Sequence, residues 1–253
     1  MKNNIIIAGV PRAGKSTIAH RLAVRYGYQH VSMDSIIAGF EKCFPETGVS
    51  TYAGLSSMDT LHMISGKMAP FVRAMLDSAE YDEFEPGMVL DMYQLLPEDY
   101  MRYIHGANCV IYYFITSDVT PGERFEIQKR YDTEKDYTFY KSDEELREGA
   151  VYIVEQSILM REQCLRCGLP YYETARDREQ VFEAFCNRIG KRVELSHACL
   201  YIYYTFRGVL CKTESGTFFR HAPVRGEDER HQSGHGSTVH EPRRHIRKTA
   251  RSY

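Results

Sequence analysis

Apolar positions along the chain change period several times, and each change marks an element. Asn4-Ile5-Ile6-Ile7-Ala8, closed by Gly9, is an unbroken, largely β-branched run, the pattern of a strand buried on both faces. From Ser16 to Tyr26 the apolar residues fall at 18, 19, 22 and 23 ahead of Gly27, which predicts an amphipathic helix stopped by a glycine. A short second strand is expected over residues 28–31, then helical periodicity over 33–44 and 57–77, with a Pro- and Gly-containing loop between. Residues 87–91 and 109–115 predict the third and fourth strands. The stretch 121–141 is charged and aromatic and has no clear period. Ser142 with Glu145 three residues on has the signature of a capping box. It opens a long helix to about Cys167, closed by Gly168-Leu169-Pro170. A fifth strand over 171–174 and a last helix over 177–189 complete the series.

Strands alternating with helices at this spacing imply right-handed crossovers and a parallel sheet covered on both faces. The expected fold is therefore α/β, a doubly wound parallel five-stranded sheet in three layers. Beyond Lys191 the alternation fails. Residues 193–210 are aromatic and fit either a hairpin or a helix, and from Lys212 onward aliphatic residues almost vanish, a composition that does not offset its ordering entropy. Three segments are expected: a domain over 1–190, an aromatic extension over 191–211, and a basic, His-rich, disordered tail over 212–253.

Charge sharpens that division. The 253 residues carry a formal charge of −2, but residues 1–190 hold 20 Lys and Arg against 28 Asp and Glu, and residues 191–253 hold 12 against 6. An acidic body is joined to a basic tail. The tail could meet nucleic acid or another polyanion, with Arg243, Arg244, Arg247 and Lys248 as its densest cluster, but aromatics for base stacking are scarce there. A solvated appendage is the favoured reading, and a tail encoded by an extended or shifted reading frame is a further one. Seven Cys at irregular spacing, with no secretory leader before the first strand, point to free thiols in a reducing cytoplasm. Cys164 and Cys167 read as two thiols on one helix face, since no second pair or His lies at ligand spacing. No run reaches the roughly 18 apolar residues of a membrane span.

The chemistry is concentrated in Gly9-Val10-Pro11-Arg12-Ala13-Gly14-Lys15-Ser16-Thr17, which fits the phosphate-binding pattern G-x-x-x-x-G-K-[ST] between a strand and a helix. Gly9 and Gly14 let the backbone approach a phosphate, Lys15 neutralises the β and γ oxygens, and the Ser16 hydroxyl ligates Mg²⁺. A carboxylate to hold the ion, directly or through water, is expected at the end of a neighbouring strand, where Asp91 closes Met88-Val89-Leu90. Asp34, just past the second strand, is the second candidate for that carboxylate or else caps the next helix, and the two roles are compatible. Both should converge with the loop at the carboxyl edge of the sheet.

In these pieces the first 190 residues resemble the nucleotide-kinase-like branch of the P-loop kinases, which includes the adenylate, shikimate and gluconate kinase families. The resemblance implies ATP and Mg²⁺ as cofactors and a small-molecule or nucleotide acceptor. It implies that Asp34 binds or deprotonates an acceptor hydroxyl. A lid after the fourth strand would supply an arginine, Arg124 or Arg130, unless these residues form a solvated helix face. Ala175 and Arg176, after the fifth strand, would lie against the adenine. Arg12 and Arg73 are further contacts to weigh. The chain departs from adenylate kinases in following Asp91 with Met92-Tyr93-Gln94 rather than Gly-Phe-Pro-Arg, and it has no Gly-Gly-Gly of the shikimate kinase type. The resemblance thus leaves the subfamily and the acceptor open. A monomer or homodimer would serve.

A rival class, a nucleotide switch or ATPase acting on a partner, lacks its usual marks. Neither Asn-Lys-x-Asp nor an Asp-x-x-Gly at Asp91 occurs, so a Ras-type GTPase is excluded.

Overall fold

The computed structural model describes residues 4–51, 57–79 and 87–207. Five strands form one sheet: β1 (Asn4–Gly9), β2 (Gln29–Ser32), β3 (Met88–Asp91), β4 (Cys109–Ile115) and β5 (Tyr171–Glu173). Their order is β2-β3-β1-β4-β5 and every pairing is parallel. Between them run α1 (Lys15–Tyr26), α2 (Met33–Cys43), α3 (Met58–Ala79), α4 (Pro97–Asp99) leading into a π-turn at Tyr100–Ile104, α5 (Pro121–Tyr131), α6 (Asp143–Cys167) and α7 (Arg178–Arg207). The expected three-layer α/β architecture is the one observed. β1 is central and wholly buried, which explains why its sequence has no polar alternation.

Two predicted boundaries shift. The stretch 121–141, which showed no periodicity, contains α5. Its start is fixed by a capping box in which the Thr120 hydroxyl accepts from the Glu123 amide and the Glu123 carboxylate accepts from the Thr120 amide. Second, no break falls at residue 190. α7 runs on to Arg207, so the aromatic extension is helical that far, and Arg192 Nη1 donates to the Tyr112 hydroxyl at 2.6 Å while Val193 packs on the core. The first compact unit ends at Tyr201, within α7. The basic tail, its histidines and its arginine cluster lie outside the described residues.

α5 and α6 pair beside the loop end of the sheet. Phe125, Leu146 and Ala150 form a small core between them, and the Arg147 guanidinium lies 4.0 Å from the Phe125 ring centroid. The segment after β4 thus has its own packing, separate from the main core.

Candidate nucleotide and acceptor site

Backbone pairing builds the phosphate loop. Gly9 pairs with Phe114 of β4, and the Val10 amide donates to the Phe114 carbonyl at 3.0 Å. Gly9 has φ 128°, and a Cβ there would stand 2.0 Å from that carbonyl oxygen. Gly14 has φ 90°, and its Cβ would stand 2.1 Å from Phe182 Cζ. Neither position admits a side chain without displacement.

α1 then starts differently from its neighbours. α5 and α6 have complete capping boxes, whereas Gly14 caps α1 with no side chain and the first turn of α1 has no acidic residue. The first-turn amides of α1 have no carbonyl one turn back to accept from them, and the helix dipole is uncompensated, so this end favours an anion.

Lys15 is buried, and its Nζ donates to the Val10 carbonyl at 2.9 Å. Burial lowers its pKa, and the charges of Asp91 and Asp34 oppose that shift. Asp91, paired with Ile7 at the end of β3, is 2% exposed and lies 3.0 Å through Oδ2 from His30 Nε2. Asp34 is exposed in the first turn of α2. The helix begins at Met33 with Ser32 in the cap position, so the capping alternative for Asp34 falls. Its Oδ1 accepts from the Gln94 amide at 3.1 Å, and the same amide donates to the Thr51 carbonyl at 3.4 Å. Gln94 itself is fully buried.

These groups surround a cavity of about 360 Å³ whose lining includes Pro11, Arg12, Gly14, Lys15, Ser16, Thr17, Asp34 and Asp91. Val10 and Ala13 are buried behind it. The convergence expected of Asp34, Asp91 and the loop is present. Thr51, Tyr93, Asp136, Tyr137 and Arg178 complete the wall.

The remaining predicted residues separate. Arg124 is 1% exposed and donates to the Pro11 carbonyl at 3.3 Å. Burial, with Arg178 and Arg12 nearby, brings its pKa down to about 10, which leaves it charged at neutral pH. Arg130 points elsewhere: it lines a second hollow of about 660 Å³ together with Ala175, Arg176 and Arg178. Arg12, at φ 61°, pairs with Asp132 and Asp136 of the segment following α5. Burial would lower the Arg12 pKa, but those two carboxylates raise it, and Arg12 in turn holds Asp136 down to about 2. Arg73 is away from the site. Its Nε binds Asp77 and its charge acts on Cys109 at the amino end of β4, the sheet edge opposite the loop.

Sequence reasoning missed Arg178. It opens α7 directly after the β5 loop, and its guanidinium lies 5.3 Å from the Tyr131 ring and 5.2 Å from the Phe182 ring. It lines the phosphate cavity and the second hollow, as well as a small hollow of about 240 Å³ shared with Arg12 and Asp136. Its position two residues beyond Arg176 was the available signal. Gln94, His30 and Asp136 gave none, because only tertiary contact brings them to the loop. Cys164 is a buried free thiol, pushed up to about 12 by burial. Among the described residues no cluster of metal-binding side chains occurs and no helix is long and apolar enough to cross a membrane.

No protein-family model matches the chain and no curated protein matches it. Solved structures resemble it at low identity. A sugar kinase from a Janibacter species has 12% identity and a TM-score of 0.46, covering 74% of this chain and 94% of its own. Shikimate kinase from Bacteroides thetaiotaomicron has 17% identity and a TM-score of 0.42, covering 76% and 98%. Deoxyadenosine kinase from M. mycoides, solved with dATP, has 17% identity and a TM-score of 0.43, covering 74% and 99%. Overlays at this level carry no weight on chemistry, which has to come from the loop geometry and the wall that faces it.

Proposed function

We propose that the chain is an ATP-dependent phosphotransferase that moves the γ-phosphoryl group of Mg-ATP to an acceptor hydroxyl. One observation carries this reading: an uncapped, acid-free helix N-terminus, approached by a loop whose two glycines leave no free room for a Cβ, faces a cavity shared by Lys15, Asp91 and Asp34. The loop and α1 amides bind the β-phosphate, and Lys15 leaves the Val10 carbonyl for the β and γ oxygens. Ser16 and Asp91, hard oxygen donors in one cavity, fit a magnesium ion. When bound, magnesium would supply neutralisation of the charge between those oxygens. Arg124 sits against the loop backbone and adds positive potential where charge develops on the transferring group. The second hollow, with Ala175, Arg176 and Arg130, is the place for the base of the nucleotide.

Asp34 accepts a hydrogen bond from the acceptor hydroxyl and orients its oxygen for in-line attack. Because the transition state for phosphoryl transfer is loose, this orientation matters more than early deprotonation. An ATPase acting on a partner would have no use for a carboxylate held in place by a fully buried amide. Two measurements test the proposal. ADP release is expected to be slow with ATP alone and to rise by orders of magnitude with an acceptor. Asp34→Asn is expected to lower the acceptor-dependent rate by about 10²- to 10⁴-fold with ATP affinity retained. Turnover indifferent to every acceptor and to this substitution would overturn the proposal.

A further inference from the structure

The lining of the cavity combines a few cations with a larger set of carboxylates and hydroxyls. Its cations are Arg12, Lys15 and Arg178 among the described residues. Each stands on the phosphate loop or on α7, and each is already directed: Arg12 to Asp132 and Asp136, Lys15 to the Val10 carbonyl, Arg178 between the Tyr131 and Phe182 rings. Outside the loop and α7 the lining holds Asp34, Asp91, Thr51, Tyr93 and Tyr137, that is, two carboxylates and three hydroxyl-bearing side chains, together with Asp136, which Arg12 engages. Arg73, the basic residue of α3 nearest in sequence to β3, is bound to Asp77 near the other edge of the sheet.

A carboxylate or phosphate on the acceptor would therefore enter beside Asp34, where among the described residues the cation that feels the Asp34 charge is Lys15, which the nucleotide phosphates engage; like charges at close range in a partly enclosed site repel strongly. A hydroxyl suits the same lining. Asp34 Oδ1 is held by Gln94, whose Tyr93 neighbour accepts from Gln156 Nε2 at 3.0 Å. This anchoring leaves a fixed acceptor oxygen turned toward a donor group on the substrate.

We propose that the phosphoryl acceptor is an uncharged polyhydroxyl compound, such as a sugar, a polyol or a nucleoside, and neither a carboxylate nor a phosphate ester. This inference rests on the kinase reading above, and the test separates the two. A small-molecule cell extract is split by anion and cation exchange into uncharged, anionic and cationic fractions. Each is supplied with Mg-ATP to the full chain, and ADP release and the mass of any phosphorylated product are followed. Matched probes run alongside: glucose against gluconate and glucose 6-phosphate, and adenosine against AMP. The stimulating activity is expected in the uncharged fraction, and an uncharged probe that is turned over should exceed its anionic counterpart at least tenfold in kcat/KM. Stimulation by the anionic or the cationic fraction would overturn the inference while leaving the kinase standing. ATP binding with no stimulation by any fraction would overturn both.

Discussion

Gly9 and Gly14 are both intolerant of a side chain, but different atoms exclude it. At Gly9 the obstacles are backbone atoms of β4, the nearest 2.0 Å from the added Cβ, and a sheet carbonyl at the centre of the molecule has nowhere to go. At Gly14 they are side-chain atoms, the ring end of buried Phe182 and the guanidinium of Arg178, which can shift further than a sheet carbonyl. Gly9→Ala is therefore expected to cost more than about 4 kcal/mol. Gly14→Ala should cost about 1–3 kcal/mol, mainly for holding a left-handed backbone. Thermal melts of the two variants check this, and equal losses would refute it. At this scale the residues whose placement was legible from sequence were those set by local spacing: Gly9, Gly14, Lys15, Ser16, Asp91 and Asp34. Arg12 was legible as a loop residue but its partners were not, because Asp132 and Asp136 lie more than a hundred positions away.

Among elements, α5 and the residues after it best show what periodicity misses. The helix buries Arg124, Phe125 and Gln128 and leaves most other positions to solvent, so its apolar stripe is too thin to register. What marks it is the Thr120–Glu123 cap, a signal of the same kind that located α6 correctly at Ser142. The turn beyond α5 is fastened to the phosphate loop by Arg12, with Asp132 also accepting from the Thr138 hydroxyl at 2.9 Å. This fastening has a defined acid limit. Asp136 has a folded pKa near 2, below the usual aspartate value. Its contribution to stability is thus complete above the unfolded value near 4 and is lost as pH falls from there through about 2. Asp136→Asn is expected to destabilise the chain by about 1 kcal/mol at pH 7, the scale of a partly exposed pair. That difference should fade between about pH 4 and pH 2. Denaturant melts of both proteins across that range measure it, and a difference that persists at pH 2 would contradict the assignment. α7 was misjudged in the other direction: past residue 190 the aromatic run is compatible with strand or helix, and only the reach of Arg192 to Tyr112 shows why the helix continues there.

For the whole molecule, the split between acidic body and basic tail places the boundary of the globular unit by composition, and the contacts move it outward. A chain ended at Gly190 loses the Arg192 hydrogen bond to Tyr112 and the packing of Val193 on the core. It is expected to melt about 2–4 °C lower for each kcal/mol forfeited. A chain ended at Tyr201, the limit of the first compact unit, should keep the full melting temperature and ATP affinity. Calorimetry and ATP titration of the two shortened chains decide the matter, and a drop in the longer one would give the remaining residues a structural role. The contact between Gly9 and the Phe114 carbonyl has a consequence at this scale as well. The phosphate loop is an outgrowth of the β1–β4 pairing, so the site and the central sheet form and melt in one cooperative event. On the proposed function, ATP would then bind the native state alone, and its binding energy would add to global stability, about 2.7 kcal/mol at a hundred times the Kd.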